Sequence, residues 1–150
     1  MILPAGTESA SSGHGIIQPT LWEDGKGIHA LMRSSEGRIF RSDSRDGGRT
    51  WCGVYPTALP NNNSGIDLTR LENGILVLVH NPVGDNFGPR TPLSVSVSRD
   101  DGDTWTHICD LESEEGEFSY PAIVSRGNRI WLTYTYKREN IAYWEFEWTD

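Results

Sequence analysis

Apolar and polar positions along this chain alternate over short runs, and the runs are broken every few residues by Gly, Asn or Ser. Gly27-Ile28-His29-Ala30-Leu31-Met32-Arg33 and Leu93-Ser94-Val95-Ser96-Val97-Ser98 are two such runs. Period-two alternation sends successive side chains to opposite faces of a strand, so the pattern predicts strands rather than helices. Three units follow one another. The first gives strands over 16–22, 27–33 and 38–42; the second over 65–71, 74–80 and 93–98; the third over 118–124, 128–136 and 140–147. First strands begin near residues 16, 65 and 118, a spacing close to 50. Second strands follow closely enough for antiparallel meanders with short turns.

Two eight-residue stretches punctuate this pattern. Ser44-Arg45-Asp46-Gly47-Gly48-Arg49-Thr50-Trp51 and Ser98-Arg99-Asp100-Asp101-Gly102-Asp103-Thr104-Trp105 share the form S-x-D-x-G-x-T-W, 54 residues apart. Ser and Asp hydrogen-bond nearby amides, Gly takes positive φ, and Trp pins the turn to the layer below. Each stretch therefore reads as a rigid corner after a third strand, and needs no ligand. Repeated units of about 50 residues predict an all-β fold of β-propeller blades: about three four-stranded antiparallel meanders, half of a six-bladed ring. A β-sandwich explains the strands but not the repeated corner. Residues 1–150 read as a single domain, with 1–15 a loop or edge strand. Three blades do not close a ring, so further blades or a second copy of the chain are expected to complete it.

Composition narrows the partners. Sixteen Gly, eight Pro, six Trp and five Tyr suit a protein of strands and turns, and the formal charge of −8 argues against nucleic acid and anionic membranes. Cys52 and Cys109 are too few for a disulfide framework and are expected to be free thiols. No apolar run reaches bilayer length, and the first fifteen residues lack the pattern of a secretion signal. No cluster has metal-ligand spacing, no Gly-rich loop opens a helix, and the run Glu112, Glu114, Glu115, Glu117 reads as a solvated loop; neither metal nor cofactor is expected.

In an up-and-down meander, the start of the first strand, the end of the second and the start of the third share one rim, opposite the two corners. That rim would carry Gln18, Arg33, Asn63, Ser64, Asp67, His80, Asn81, Arg90, Tyr120, Tyr136, Lys137 and Arg138. Arginines and amides are dense there for so acidic a chain, which suits recognition of a carboxylate on a sugar. Each has a plainer reading as well. Arg33 and Arg90 suit solvated rim charges, Tyr120 a core-edge tyrosine, His29 and His80 structural histidines, and Lys137-Arg138 a polar turn.

The two corners match Asp boxes, or BNR repeats, and over about residues 15–147 the chain resembles the sialidase (neuraminidase) superfamily. Ile28-His29-Ala30-Leu31-Met32-Arg33-Ser34 resembles the strand ending in the second arginine of that family's carboxylate-binding triad. Asn81-Pro82, Arg90 and Leu93–Ser98 before a box resemble the segment carrying the third. Ser119-Tyr120-Pro121-Ala122-Ile123, with Asn140-Ile141-Ala142-Tyr143-Trp144, resembles the blade holding the nucleophilic tyrosine. The resemblance implies that Arg33 and Arg90 clamp a carboxylate and that Tyr120 attacks the anomeric carbon, as in the tyrosine variant of retaining glycosidases. Gln18, Asn63, Asp67, Asn81 and Arg138 are further candidate substrate contacts. Gln18 stands where the family places a glutamate base and cannot accept a proton. The family's first arginine and acid/base aspartate have no match in residues 1–15.

Three functions are expected from this pattern. The first is exo-hydrolysis of a terminal acidic sugar by a site incomplete in this chain. The second is non-catalytic glycan binding or assembly. The third is a uronate lyase with Tyr120 or His80 as base.

Overall fold

The computed structural model describes residues 15–149, and regular structure there is entirely strand. Eleven strands run β1 (Ile16–Asp24), β2 (Gly27–Ser34), β3 (Arg38–Ser44), β4 (Tyr55–Pro60), β5 (Asp67–Arg70), β6 (Leu76–His80), β7 (Leu93–Ser98), β8 (Thr106–Glu112), β9 (Phe118–Arg126), β10 (Arg129–Tyr136) and β11 (Asn140–Glu147). They form three antiparallel meanders, ordered β1-β2-β3-β4, β5-β6-β7-β8 and β11-β10-β9. The expectation of four strands per unit holds for the first two sheets; among the described residues the third has three. The first strands lie side by side, β1 by β5 and β5 by β9, so the sheets stand next to each other with their inner strands together.

Alternation within the strands sorts two cores between three sheets. Leu76 and Leu78 of β6 join Trp22, Leu31, Ile39 and Leu68 between the first and second sheets. Val77 and Val79, on the other face of the same strand, join Val95, Phe118, Ile123, Leu132 and Tyr134 between the second and third. This explains why β6 is apolar throughout: the middle sheet is covered on both faces, so neither parity of position is free to be polar. Each such side chain contributes about 1.5–3 kcal/mol by leaving water.

The two corners are the same structure built twice. Ser44 Oγ donates to Asp46 Oδ1 at 2.9 Å and accepts from the Gly48 amide at 2.9 Å, while the Thr50 amide and hydroxyl donate to Asp46 at 2.8 and 2.7 Å. Ser98, Asp100, Gly102 and Thr104 repeat the set, with the Gly102 amide 2.8 Å from Ser98 Oγ and the Thr104 amide 2.8 Å from Asp100 Oδ1. Both tryptophans donate Nε1–H to the carbonyl of the box glycine, at 3.1 Å in each case. The corners join β3 to β4 and β7 to β8, so they mark one end of the sheets. The β2–β3 turn, the β6–β7 loop and the start of β9 mark the other.

A second set of bonds runs between sheets. Asp67 Oδ1 accepts from Thr20 Oγ1 at 2.7 Å, and Oδ2 accepts from the Ile123 amide at 3.0 Å, so one carboxylate ties β1, β5 and β9 together. Cys52 and Cys109 are both free.

Candidate functional site

Arg33, Arg90, Tyr120 and Arg138 converge at the end of the sheets opposite the Asp boxes, brought there by four different elements. Arg33 closes β2, Arg90 lies in the β6–β7 loop, Tyr120 opens β9, and Arg138 sits in the β10–β11 hairpin. The guanidinium carbon of Arg90 lies 5.1 Å from the centroid of the Tyr120 ring, within cation–π range. Hydrogen bonding and charge from Arg90, and then from Arg33, hold the Tyr120 phenol below the usual tyrosine range. Two positive charges favour the phenolate, so this tyrosine is easier to ionise than one in water.

Tyr120 is aimed outward by its backbone. It has φ +53° immediately before Pro121, and the register of β9 against β10 shifts at this point. The bulge lies between Ser119 and Ala122, and Tyr120 stands 49% exposed between two buried neighbours, Ser119 and Pro121, on the same outward face as Ala122 and Val124. Gly65 forms a wall behind the ring, since a Cβ there would stand 3.3 Å from Tyr120 Cδ1. An open groove runs from Tyr120 past Glu117, Thr135 and Arg138 to Asn140 and Ile141.

Two nitrogens of Arg33, Nε and Nη1, are buried and have no hydrogen-bond partner among the described residues. Buried guanidinium N–H groups without an acceptor cost about 1–3 kcal/mol, and the described residues supply none for this pair. Arg90 is held instead. Its Nη1 donates to Glu117 Oε1 at 2.9 Å and to Ser119 Oγ at 3.1 Å, and its carbonyl accepts from the Phe118 amide at 3.0 Å. Glu117 Oε2 accepts from Arg138 Nε at 2.6 Å. Partial burial pushes the Glu117 carboxyl up, but bonding from Arg138 and charge from Arg90 outweigh it and keep the group below the ordinary glutamate value.

The remaining candidates fare differently. Gln18 is exposed on the innermost strand of the first sheet, at its own bulge before Pro19. Asn63 has φ +63° and its backbone N–H donates to Asn61 Oδ1 at 3.0 Å, while its own Oδ1 is buried with no partner among the described residues. Asp67 and Asn81 have their polar atoms committed to the framework. Asp67 is the brace described above, while Asn81 Nδ2 donates to the carbonyls of Pro92 and Phe118 at 2.8 and 3.1 Å and Oδ1 accepts from Ser64 at 2.7 Å. Asn62 Nδ2 likewise donates to Pro89 at 2.6 Å, which steadies the loop carrying Arg90. Asn62 and Asn81 thus brace the site rather than face it. His80 is 1% exposed, and burial drives its pKa down to about 4. It cannot reach a substrate, which removes it as the base of a lyase.

The acidic run read as a solvated loop is anchored instead. Glu112 accepts from the Tyr134 hydroxyl, Glu114 from Tyr136 at 2.8 Å and Lys137 at 3.1 Å, and Glu117 from two arginines. Glu117 is the site residue that sequence reasoning missed. The signal was a matched pair of period-two rows, Glu112 and Glu114 against Tyr134 and Tyr136, whose register is visible only once the strands are placed. Among the described residues no group of three His, Cys, Asp or Glu side chains is placed to hold a metal ion.

Comparison with known proteins places the fold. The model of the BNR repeat-like domain family matches residues 5–132. Comparison with curated proteins gives no match. Among solved structures, a mutant α-L-arabinofuranosidase from Fusarium graminearum in complex with an iminosugar inhibitor superposes with a TM-score of 0.66 at 17% identity, over 87% of this chain and 45% of that one. The sialidase of Trypanosoma rangeli gives 0.63 at 12% identity, over 80% and 21%. The intramolecular trans-sialidase of Ruminococcus gnavus, in complex with oseltamivir carboxylate, gives 0.62 at 16% identity, over 97% and 35%. At these identities the likeness is one of fold: the three sheets are propeller-type blades. The chain spans less than half the length of each of these three structures.

Proposed function

This chain belongs to the BNR repeat-like domain family, and we propose that within it Arg33, Arg90 and Tyr120 form the carboxylate-binding and nucleophile side of a sialidase-like glycosidase site. The observation that carries the reading is the buried Nε and Nη1 pair of Arg33, unpaired among the described residues and next to a tyrosine whose phenol two arginines make easier to ionise. A carboxylate on a terminal acidic sugar supplies two oxygens matched to that planar pair. Arg90, fixed by Glu117 and Ser119, adds a second positive charge.

In the reaction, the Tyr120 oxygen forms a bond to the anomeric carbon while the bond from that carbon to the leaving oxygen breaks. Water later displaces the tyrosine with a second inversion. A neutral phenol approaches a carboxylate-bearing carbon without the repulsion that an aspartate or glutamate would meet. No carboxylate takes the phenol's proton here, since Gln18 cannot accept it and both oxygens of Glu117 are engaged; the proton passes to water as the bond forms, and the Arg33 and Arg90 guanidiniums stabilise the negative charge developing on the oxygen. The proton for the leaving group comes from outside these three sheets, from further blades or a second copy that completes the ring.

Covalent trapping tests this. A fluorinated sialic acid, which slows breakdown of the glycosyl-enzyme, is expected to add one sugar to Tyr120, read by mass spectrometry of the peptides. Absence of label with retained glycan binding would instead support a second reading, a non-catalytic binding module, which the amide at Gln18 favours.

A further inference from the structure

We propose that Glu117 is the positioning residue of this site: its carboxylate bridges Arg90 and Arg138 and so fixes how the cations stand around the Tyr120 hydroxyl. The inference rests on the reading of that site as an acceptor of anionic sugars, and assigns Glu117 a part that neither the box pattern nor the family match supplies.

The bridge uses one oxygen for each partner. Oε1 takes Arg90 Nη1 at 2.9 Å and Oε2 takes Arg138 Nε at 2.6 Å, with Ser119 Oγ completing a triangle 3.3 Å from Oε1 and 3.1 Å from Arg90 Nη1. The main chain around Glu117 ties the same two elements. Its carbonyl accepts from the Lys137 amide at 2.8 Å, and the next amide, Phe118, donates to the Arg90 carbonyl at 3.0 Å. One residue therefore docks both the loop that carries Arg90 and the hairpin that carries Arg138.

That hairpin needs holding. Lys137 and Arg138 both have positive φ, +52° and +55°, a conformation that costs a side-chain-bearing residue about 1–2 kcal/mol. Such backbone persists only where its surroundings over-determine it. Arg138 is 66% exposed, and an exposed ion pair adds little stability, so the contact is better understood as orientation than as strength. Arg138 is also close enough for Tyr120 to act on its charge.

A carboxylate among arginines has one other plain explanation, that it stands in for a ligand and is displaced by it. The Arg33 nitrogens that have no partner among the described residues argue against this: an incoming carboxylate finds donors there and need not evict Glu117.

Two substitutions separate the ideas. Glu117→Asp keeps the charge but is one methylene shorter and cannot span both guanidiniums; Glu117→Gln keeps the length and loses the charge. Without any ligand, the Tyr120 phenol is titrated by ultraviolet difference, with Tyr120→Phe identifying its signal. Glu117→Asp is expected to move the midpoint up toward that of free tyrosine, because Arg90 is released while the net charge is unchanged. With N-acetylneuraminate as probe, both variants are expected to bind about tenfold more weakly than the parent, as misplaced binding groups do. Tighter binding by Glu117→Gln makes Glu117 a competitor and overturns the proposal, as does a Glu117→Asp protein with the parent's titration. Should Glu117→Asp fail to fold, Arg138→Lys, which keeps the charge and loses the Nε–H that Glu117 holds, is expected to raise the Tyr120 midpoint, and an unmoved midpoint overturns the proposal equally. If the parent binds no probe, the acidic-sugar reading fails, while the ligand-free titration still decides the role of Glu117.

Discussion

Gln18 and Tyr120 occupy the same place in two different sheets: each is a left-handed residue, at φ +52° and +53°, immediately before a proline, where the innermost strand slips register against its neighbour. Residues before proline are sterically restricted, and a bulge re-aims the side chain it carries. The fold thus builds one pedestal twice, and the side chain on it sets the chemistry. An amide stands on the first and an ionisable phenol on the second.

Changing the first pedestal is therefore a test of the second. Gln18→Glu supplies a proton acceptor where the family resemblance expects one, and general-base assistance contributes about 100-fold or more. The rate of Tyr120 labelling by a fluorinated sialic acid is expected to rise in this variant. An unchanged rate means that Gln18 does not serve the tyrosine.

The two clamp arginines are expected to differ in what they do for stability. Arg33→Met removes two buried N–H groups that have no partner among the described residues and should leave the protein as stable as before or more stable, by about 1 kcal/mol. Arg90→Met breaks a bonded pair with Glu117 and should cost about 2 kcal/mol. Urea unfolding of the two variants checks the contrast, and both should lose binding of a carboxylated sugar.

The equivalent glycines of the two corners should not tolerate substitution equally. Gly48 and Gly102 have φ +82° and +84°, so alanine strains either by about 1 kcal/mol. At Gly48 the nearest atoms to an added Cβ are 3.7 and 3.9 Å away, which is ordinary contact. At Gly102 they are Arg41 Nη1 and Trp22 Cζ2, both at 3.1 Å, because the second corner packs against the first sheet. Gly102→Ala should cost about 2–3 kcal/mol in all, which denaturant midpoints would resolve.

Acid should destabilise the fold in two separate windows. Burial keeps folded His80 neutral down to about 4, while the unfolded imidazole takes its proton near 6.5; the unfolded state binds more protons between those values, so stability falls as pH drops through them. The slope is at most about 1.4 kcal/mol per pH unit, and His80→Gln should flatten it. Asp46 and Asp100 are held near 2 by their threonines, Thr50 and Thr104. Their contribution is present above the unfolded value of 3.8 and is lost as pH falls toward 2, a step that Asp46→Asn and Asp100→Asn should diminish.

Asp67 should behave as a brace. Asp67→Ala leaves Thr20 and the Ile123 amide without their acceptor and should cost about 2–3 kcal/mol, and the loss should be less than additive with Thr20→Val. A double-mutant cycle by thermal unfolding measures that coupling. Full additivity would show that the carboxylate does not join the sheets.

Local pattern alone was enough for three strands in each unit, their meander order and the two corners, because each depends on neighbours in sequence; the outer strands β4 and β8, which follow the corners, took their ranges from the structure. Alternation sets which face a residue joins, and the spacing of Ser, Asp, Gly and Thr closes each box with bonds four residues long or shorter. The rim on which Arg33, Arg90 and Tyr120 lie also followed from strand direction. What tertiary structure decided was which polar groups were already taken. Asp67 and Asn81 look like ligands in a one-dimensional listing of the rim, yet their bonds go to Ile123 and Phe118 in another sheet. Glu117 looks like one of four solvated acids, yet it meets Arg90 across the second and third sheets and Arg138 across a hairpin. A side chain's freedom to serve a ligand depends on partners distant in sequence, and only the packing of sheet against sheet fixes those.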